Sequence, residues 1–162
     1  MDVEVVIEIP RGSRNKYEID HETGAVWLDR MLFTATQYPA DYGFFPNTLG
    51  EDGDPLDAMV LLDEATFPGC HMLVRPVAVF FMEDEAGRDA KVLCVPSRDK
   101  RWAKILDRGD LPEHLLDEIS HFFEVYKALE PGKLTSTQGW HNAAIAEAVV
   151  TEARQRAAKT EH

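Results

Sequence analysis

The hydrophobic period of this chain changes once, and that change limits the folds open to it more than any other feature. Over the first two thirds, apolar residues recur at every second position or in short unbroken runs. Val3, Val5, Ile7 and Ile9 alternate with Glu4, Val6 and Glu8, the pattern of a half-buried strand, with Glu8 on the face opposite the aliphatic stripe. Asn15, Tyr17 and Ile19 alternate with Lys16, Glu18 and Asp20, and Gly24 marks a turn before a short strand from Val26 to Arg30. Pro39, Gly43, Pro46, Gly50, Gly53 and Pro55 punctuate a long loop region. Ala58 to Leu62, Met72 to Met82 and Val92 to Val95 are further runs of strand character, with Pro76 bending the second or marking a sheet edge.

In the last third the step lengthens to three and four. Leu115, Leu116, Ile119, Phe122, Phe123, Tyr126 and Leu129 lie on one face of an amphipathic helix, which Pro131-Gly132 ends. Asp110 with Glu113 resembles a capping box at its start, with Pro112 in the first turn. A second, Ala-rich helix runs from Asn142 to about Lys159, with Ile145, Val149 and Val150 on one side. Strands followed by helices predict an α+β fold built on a small barrel of antiparallel strands. With 162 residues and no repeat or linker, the chain is expected to form one domain over 1–162.

Charge excludes several functions. Against 29 acidic residues stand 17 Lys and Arg, a formal charge of −12, so the surface repels nucleic acid and anionic membranes. An anionic substrate stays possible where bound cations reverse the local field. The start of the chain lacks a basic and then apolar leader, and the longest apolar run, Val77 to Met82, is far too short for a bilayer. Cys70 and Cys94 are expected as buried free thiols in a reducing compartment, and the protein is expected to be cytoplasmic.

Glu51 to Asp57 carries four carboxylates in seven residues, with Gly53 and Pro55 shaping a rigid turn. Such anions repel one another unless something positive sits between them, and hard divalent cations take oxygen ligands of this kind. A solvated acidic turn has the same composition. An EF-hand loop starting at Asp52 fails, because Leu56 and Asp57 occupy its fifth and sixth places. A second acidic cluster runs from Glu83 to Asp89, is followed by Lys91, and has the form of a hairpin loop turning at Gly87. Glu8, Lys16, Glu18 and Arg30 on the first strands form either a cross-strand ion-pair ladder or, for the two cations, phosphate ligands. Tyr126 continues the apolar helix face and reads on periodicity as a core residue; His21 lies on a turn with no ligand spacing and reads as solvated or structural.

Five segments together resemble the short bacterial type of family I soluble inorganic pyrophosphatases. They are Ile7 to Glu18, Tyr38 to Phe44, the intact Asp52-Gly53-Asp54-Pro55-Leu56-Asp57 with Asp84 to Lys91, and His121 to Lys127. The resemblance implies a five-stranded β-barrel of the oligonucleotide-binding type (OB-like) with two C-terminal flanking helices. It implies hydrolysis of pyrophosphate to two phosphates by direct attack of metal-activated water. Asp52, Asp57 and Asp89 would hold the tightest metals, with Asp84 and Glu8 helping to hold others. Several Mg²⁺ ions per site are implied, with Mn²⁺ or Zn²⁺ as substitutes. Asp54 matches the position beside the attacking water, with Asp89 the other candidate base. Lys16, Arg30, Tyr42, Lys91, Tyr126 and Lys127 match phosphate-contacting positions, and Tyr38 and Glu18 other active-site positions. A homohexamer is implied as well. Asp41, where many relatives carry Asn, adds a charge expected near the site. The rival classes are a metal-dependent phosphohydrolase of nucleotides or phosphate esters, and a nucleic-acid-binding barrel, which the charge disfavours.

Overall fold

The computed structural model describes residues 1–84, 86–132 and 136–160. Glu85, in the second acidic cluster, lies outside them. Among the described residues the elements are β1 Val3–Ile9, β2 Asn15–Ile19, β3 Val26–Met31, β4 Asp41–Phe44, β5 Asp57–Val60, β6 His71–Asp84, β7 Gly87–Pro96, α1 Glu113–Val125, β8 Ser136–Asn142 and α2 Ala143–Thr160. Five strands close into a ring. β1 pairs with β4, β4 with β5, β5 with β7, β7 with β6, and the first residues of β6 return to β1. β8 lies along the later part of β6, and β2 and β3 form a separate hairpin. All of these pairings are antiparallel except β5 with β7. The expected combination of a closed five-stranded sheet and two C-terminal helices is therefore present, with β8 added between the helices.

Strand parity sorts the core. On β5 and β7, Ala58, Val60, Val92 and Cys94 point to one side, packing with Val150 and Ala153 of α2. The alternate residues Met59, Leu93 and Val95 point to the other side, against Ile119, Phe122 and Phe123 of α1. Both faces of these strands are covered, which is why they read as unbroken apolar runs. The bend expected at Pro76 is a register shift between Pro76 and Ala78.

Local structure departs from expectation in four places. β4 lies inside the segment expected to be loop; its Gly43 sits against β1, where a Cβ would fall 1.9 Å from the Val6 carbonyl oxygen. Asp110 caps backward rather than forward. It accepts from the Leu106 and Asp107 amides in a 3₁₀ turn, while Pro112 starts α1 without a side-chain cap. The helical hydrogen bonding of α1 stops near Tyr126, so Leu129 is left exposed instead of continuing the apolar face. On α2, Ala146, Val150 and Ala153 are buried, and Ile145 is exposed. Both cysteines are free, with Cys94 buried and its thiol pushed up by that burial. Among the described residues no helix is long and apolar enough to cross a membrane.

Candidate active site

Parity also builds the site. Asp57 continues the β5 stripe of Met59, and Asp89 and Lys91 continue the β7 stripe of Leu93 and Val95, so all three face the α1 side where the core opens. The parallel register places Asp57 directly beside Lys91. There the Lys91 ammonium, 2% exposed, lies 3.1 Å from Asp57 Oδ2 and 2.9 Å from Asp89 Oδ2, and donates to Tyr42 Oη at 2.6 Å. The Phe123 ring lies beneath it, 4.8 Å from Nζ.

These groups open into a hollow of about 280 Å³. Asp52, Asp54, Asp57, Asp84, Asp89 and Glu8 line it with Glu18, and so do Lys16, Lys91, Lys127, Tyr38, Tyr42 and Tyr126. Acidic groups far apart in the chain thus share one basin. Arg30 is the predicted site residue that does not line it. Arg30 sits opposite Lys16 on the hairpin, its Nε donating to Glu130 Oε1 at 2.6 Å and its Nη1 paired with Asp29. The ladder expected among Glu8, Lys16, Glu18 and Arg30 is not formed among the described residues; Lys16 instead lies 3.6 Å from Asp29, which Arg30 shares.

The loop from Phe45 to Leu56 is held from inside. Phe45 N donates to Leu56 O at 2.9 Å, and Thr48 Oγ1 donates to Phe45 O while accepting from Leu56 N. Gly53, with φ of 91°, takes the left-handed turn that lets Asp52 Oδ1 accept from the Asp54 amide at 3.1 Å. α2 braces the outside: Arg156 Nη1 donates to Leu49 O, and Leu49 N to Ala153 O at 3.0 Å. Across the hollow, Glu8 Oε2 accepts from Ile19 N at 2.9 Å and Asp84 Oδ1 from Ala86 N at 2.8 Å.

Burial, and then the nearby Asp89 charge, raise the Asp57 carboxyl to about 7 against the opposing pull of Lys91. Burial similarly raises Glu8 and Asp52. Burial works against the charge on Lys91, but Asp89, Tyr42 and Asp57 hold its ammonium well above the ordinary value. Tyr42 and Tyr38 are pushed up mainly by burial, so both stay neutral hydroxyl donors. Among the described residues no three acidic, His or Cys side chains already converge as a metal cage. The donor set still fits a hard cation: carboxylate oxygens share one basin, where burial and the neighbouring acidic charges raise Asp57 and Asp52, with no thiol among the walls.

The family profile described as inorganic pyrophosphatase matches residues 5–158. The chain belongs to the inorganic pyrophosphatase family. It is 62% identical over 147 residues to the inorganic pyrophosphatase of Leifsonia xyli, covering 91% of this chain and 90% of that one. It is 57% identical over 156 residues to that of Streptomyces coelicolor, covering 96% of each. The crystal structure of inorganic pyrophosphatase from Thermus thermophilus superposes with a TM-score of 0.93 at 50% identity, covering 96% of this chain and 91% of that one. Family I pyrophosphatases are metal-dependent hydrolases, and the alternative of a phosphohydrolase of nucleotides or phosphate esters is not favoured.

One further sequence reading needs correcting. Asp41 is 1% exposed and does not line the hollow; it accepts from Arg11 N, Thr66 N and Thr66 Oγ1, so it serves as a structural anchor and not as a charged wall of the site. His21 is exposed and packs edge-on to Phe44 at 4.8 Å along the hollow, in keeping with its reading as solvated or structural. Its spacing carried no signal, because the β2–β3 turn reaches the cavity only through tertiary packing. Tyr17 and Phe44 were missed as walls for the same reason. Tyr126 is 6% exposed in the core under α1, as its periodicity implied, and it also lines the hollow.

Proposed function

We propose that this chain, as one domain over 1–162, hydrolyses inorganic pyrophosphate to two phosphates by direct attack of water, without a covalent enzyme intermediate. The observation that carries the reading is the single hollow in which carboxylates from the Glu51–Asp57 and Asp84–Asp89 segments oppose Lys16, Lys91 and Lys127. Asp52, Asp57 and Asp89 would hold the tightest cations, and Asp84 and Glu8 further ones. Mg²⁺ is the proposed ion, because the donors are all hard oxygens, with Mn²⁺ or Zn²⁺ as substitutes. Such ions neutralise the substrate and lower the pKa of water.

The protein's own groups do the rest. The Asp54 carboxylate takes the proton of the attacking water, with Asp89 the alternative base. Lys16, Lys91, Lys127 and Arg30 bind phosphate oxygens and offset the charge that builds on the leaving phosphate. Tyr42 accepts from Lys91 and keeps its own proton, so its hydroxyl can donate to a phosphate oxygen; Tyr126 adds a second neutral donor. The free thiols support a cytoplasmic setting, and the exposed apolar side chains Trp27, Leu28 and Met31 on β3 support the homohexamer.

Phosphate release from pyrophosphate and from ATP, each with and without Mg²⁺, tests the reading. Rapid Mg²⁺-dependent release from pyrophosphate alone is expected, and equal or faster release from ATP would overturn it.

A further inference from the structure

Glu130 carries an oddity that the reaction above does not use. Its side chain is 5% exposed, Oε1 accepts from Arg30 Nε at 2.6 Å, and Oε2 is buried without a hydrogen-bond partner among the described residues. Leaving one oxygen of a buried carboxylate unpaired costs stability. The position is also strategic. Glu130 follows Lys127 by three residues and its amide donates to the Lys127 carbonyl at 3.0 Å, so its side chain ties the β2–β3 hairpin to the turn that presents Tyr126 and Lys127. Arg30 is pinned at Nε by Glu130 and at Nη1 by Asp29, while Nη2 has no protein partner among the described residues.

We infer that Glu130 is a positioning residue. It anchors the Nε end of the Arg30 guanidinium, which does not line the hollow but lies across the hairpin from Lys16, which does, and leaves the Nη2 end for a phosphate oxygen of pyrophosphate. Asp29 is exposed and adjacent in sequence, so alone it would let the guanidinium swing with the hairpin. The second anchor, on a different element, removes that freedom before substrate arrives. This rests on the reading of Arg30 as a phosphate ligand.

The test is steady-state pyrophosphate hydrolysis at saturating Mg²⁺ by Glu130→Ala, Arg30→Ala and the double variant, with a thermal melt of each. Loss of a charge-assisted anchor is expected to raise KM about tenfold with kcat within about twofold. In the Arg30→Ala background, Glu130→Ala should add nothing. Glu130→Gln, whose amide oxygen still accepts from Nε, should fall between wild type and Glu130→Ala, and it carries the test if the alanine variant melts early. An unchanged KM in Glu130→Ala, or the same rise with and without Arg30, would overturn the inference. Failure of the unaltered protein to cleave pyrophosphate would instead overturn the proposed function.

Discussion

The two walls of the hollow are built by different means. The deep wall belongs to the closed ring of strands. Asp57 and Lys91 are ladder partners on β5 and β7, and Asp89 lies two residues before Lys91 on the same face. Backbone pairing sets their places, and packed core lies beneath them. The rim belongs to the hairpin outside that ring, where Lys16 lines the hollow and Arg30 lies opposite it without lining it. Lys16 and Arg30 are 30% and 24% exposed at the side chain and are held by Asp29 and Glu130. A ladder specifies position with little freedom, whereas the half-exposed pairs that Asp29 makes with Lys16 and Arg30 exchange more readily for another anion. The deep wall therefore suits chemistry that needs fixed geometry, and the rim suits capture and release of phosphate.

The largest expected effect separates the walls. Asp57→Asn or Asp89→Asn should lose at least about 3 kcal/mol of transition-state stabilisation, roughly a hundredfold in rate. Near-normal turnover of either variant at saturating Mg²⁺ would mean that the deep wall holds no essential cation. Arg30→Ala should act mainly on KM, and an Arg30 variant as slow in kcat as Asp89→Asn would erase the distinction.

Next in size is Lys91→Met. It strands two largely buried carboxylates and should destabilise the chelated protein by about 2–3 kcal/mol. Added Mg²⁺ should recover part of that loss in a denaturant titration; no destabilisation would mean that the Asp57 and Asp89 charges relax into solvent. The equivalent Lys16→Met change at the rim should cost less than about 0.5 kcal/mol.

The remaining effect is on pH. The folded pKa of Asp57 is raised from 3.8 to about 7, so folding favours its protonated form. Its contribution to stability is full below pH 3.8 and is lost as pH rises through about 7. In chelator, urea midpoints should fall over that range, and Asp57→Asn should flatten the decline. A decline of the same steepness in the variant would assign it to other groups.

Much of the site was legible because its chemistry is local. Asp52 to Asp57 and Asp84 to Asp89 are short runs whose charge density needs no fold to be noticed, and the alternation in β1 and β2 placed Glu8 and Lys16 on strands. Residues whose role depends on distant partners were not legible. Asp41 sits next to a motif tyrosine, yet its three donors come from Arg11 and Thr66. β8, with the left-handed Gly139 at its bulge, lacks a hydrophobic alternation of its own and forms because β6 offers an open edge. Glu130 looks like any acidic residue beyond a helix end.

From the sequence alone came the donor set, the strand periods and hence which side chains share a face, since backbone geometry makes every second residue of a strand point the same way. Only tertiary structure decided that β5 and β7 run parallel, that β6 returns to close the ring on β1, and that the hairpin lays His21 and Lys16 against the hollow. Those choices join residues separated by tens of positions. Their energy lies in burial and loop closure across the whole chain, which a local pattern does not encode.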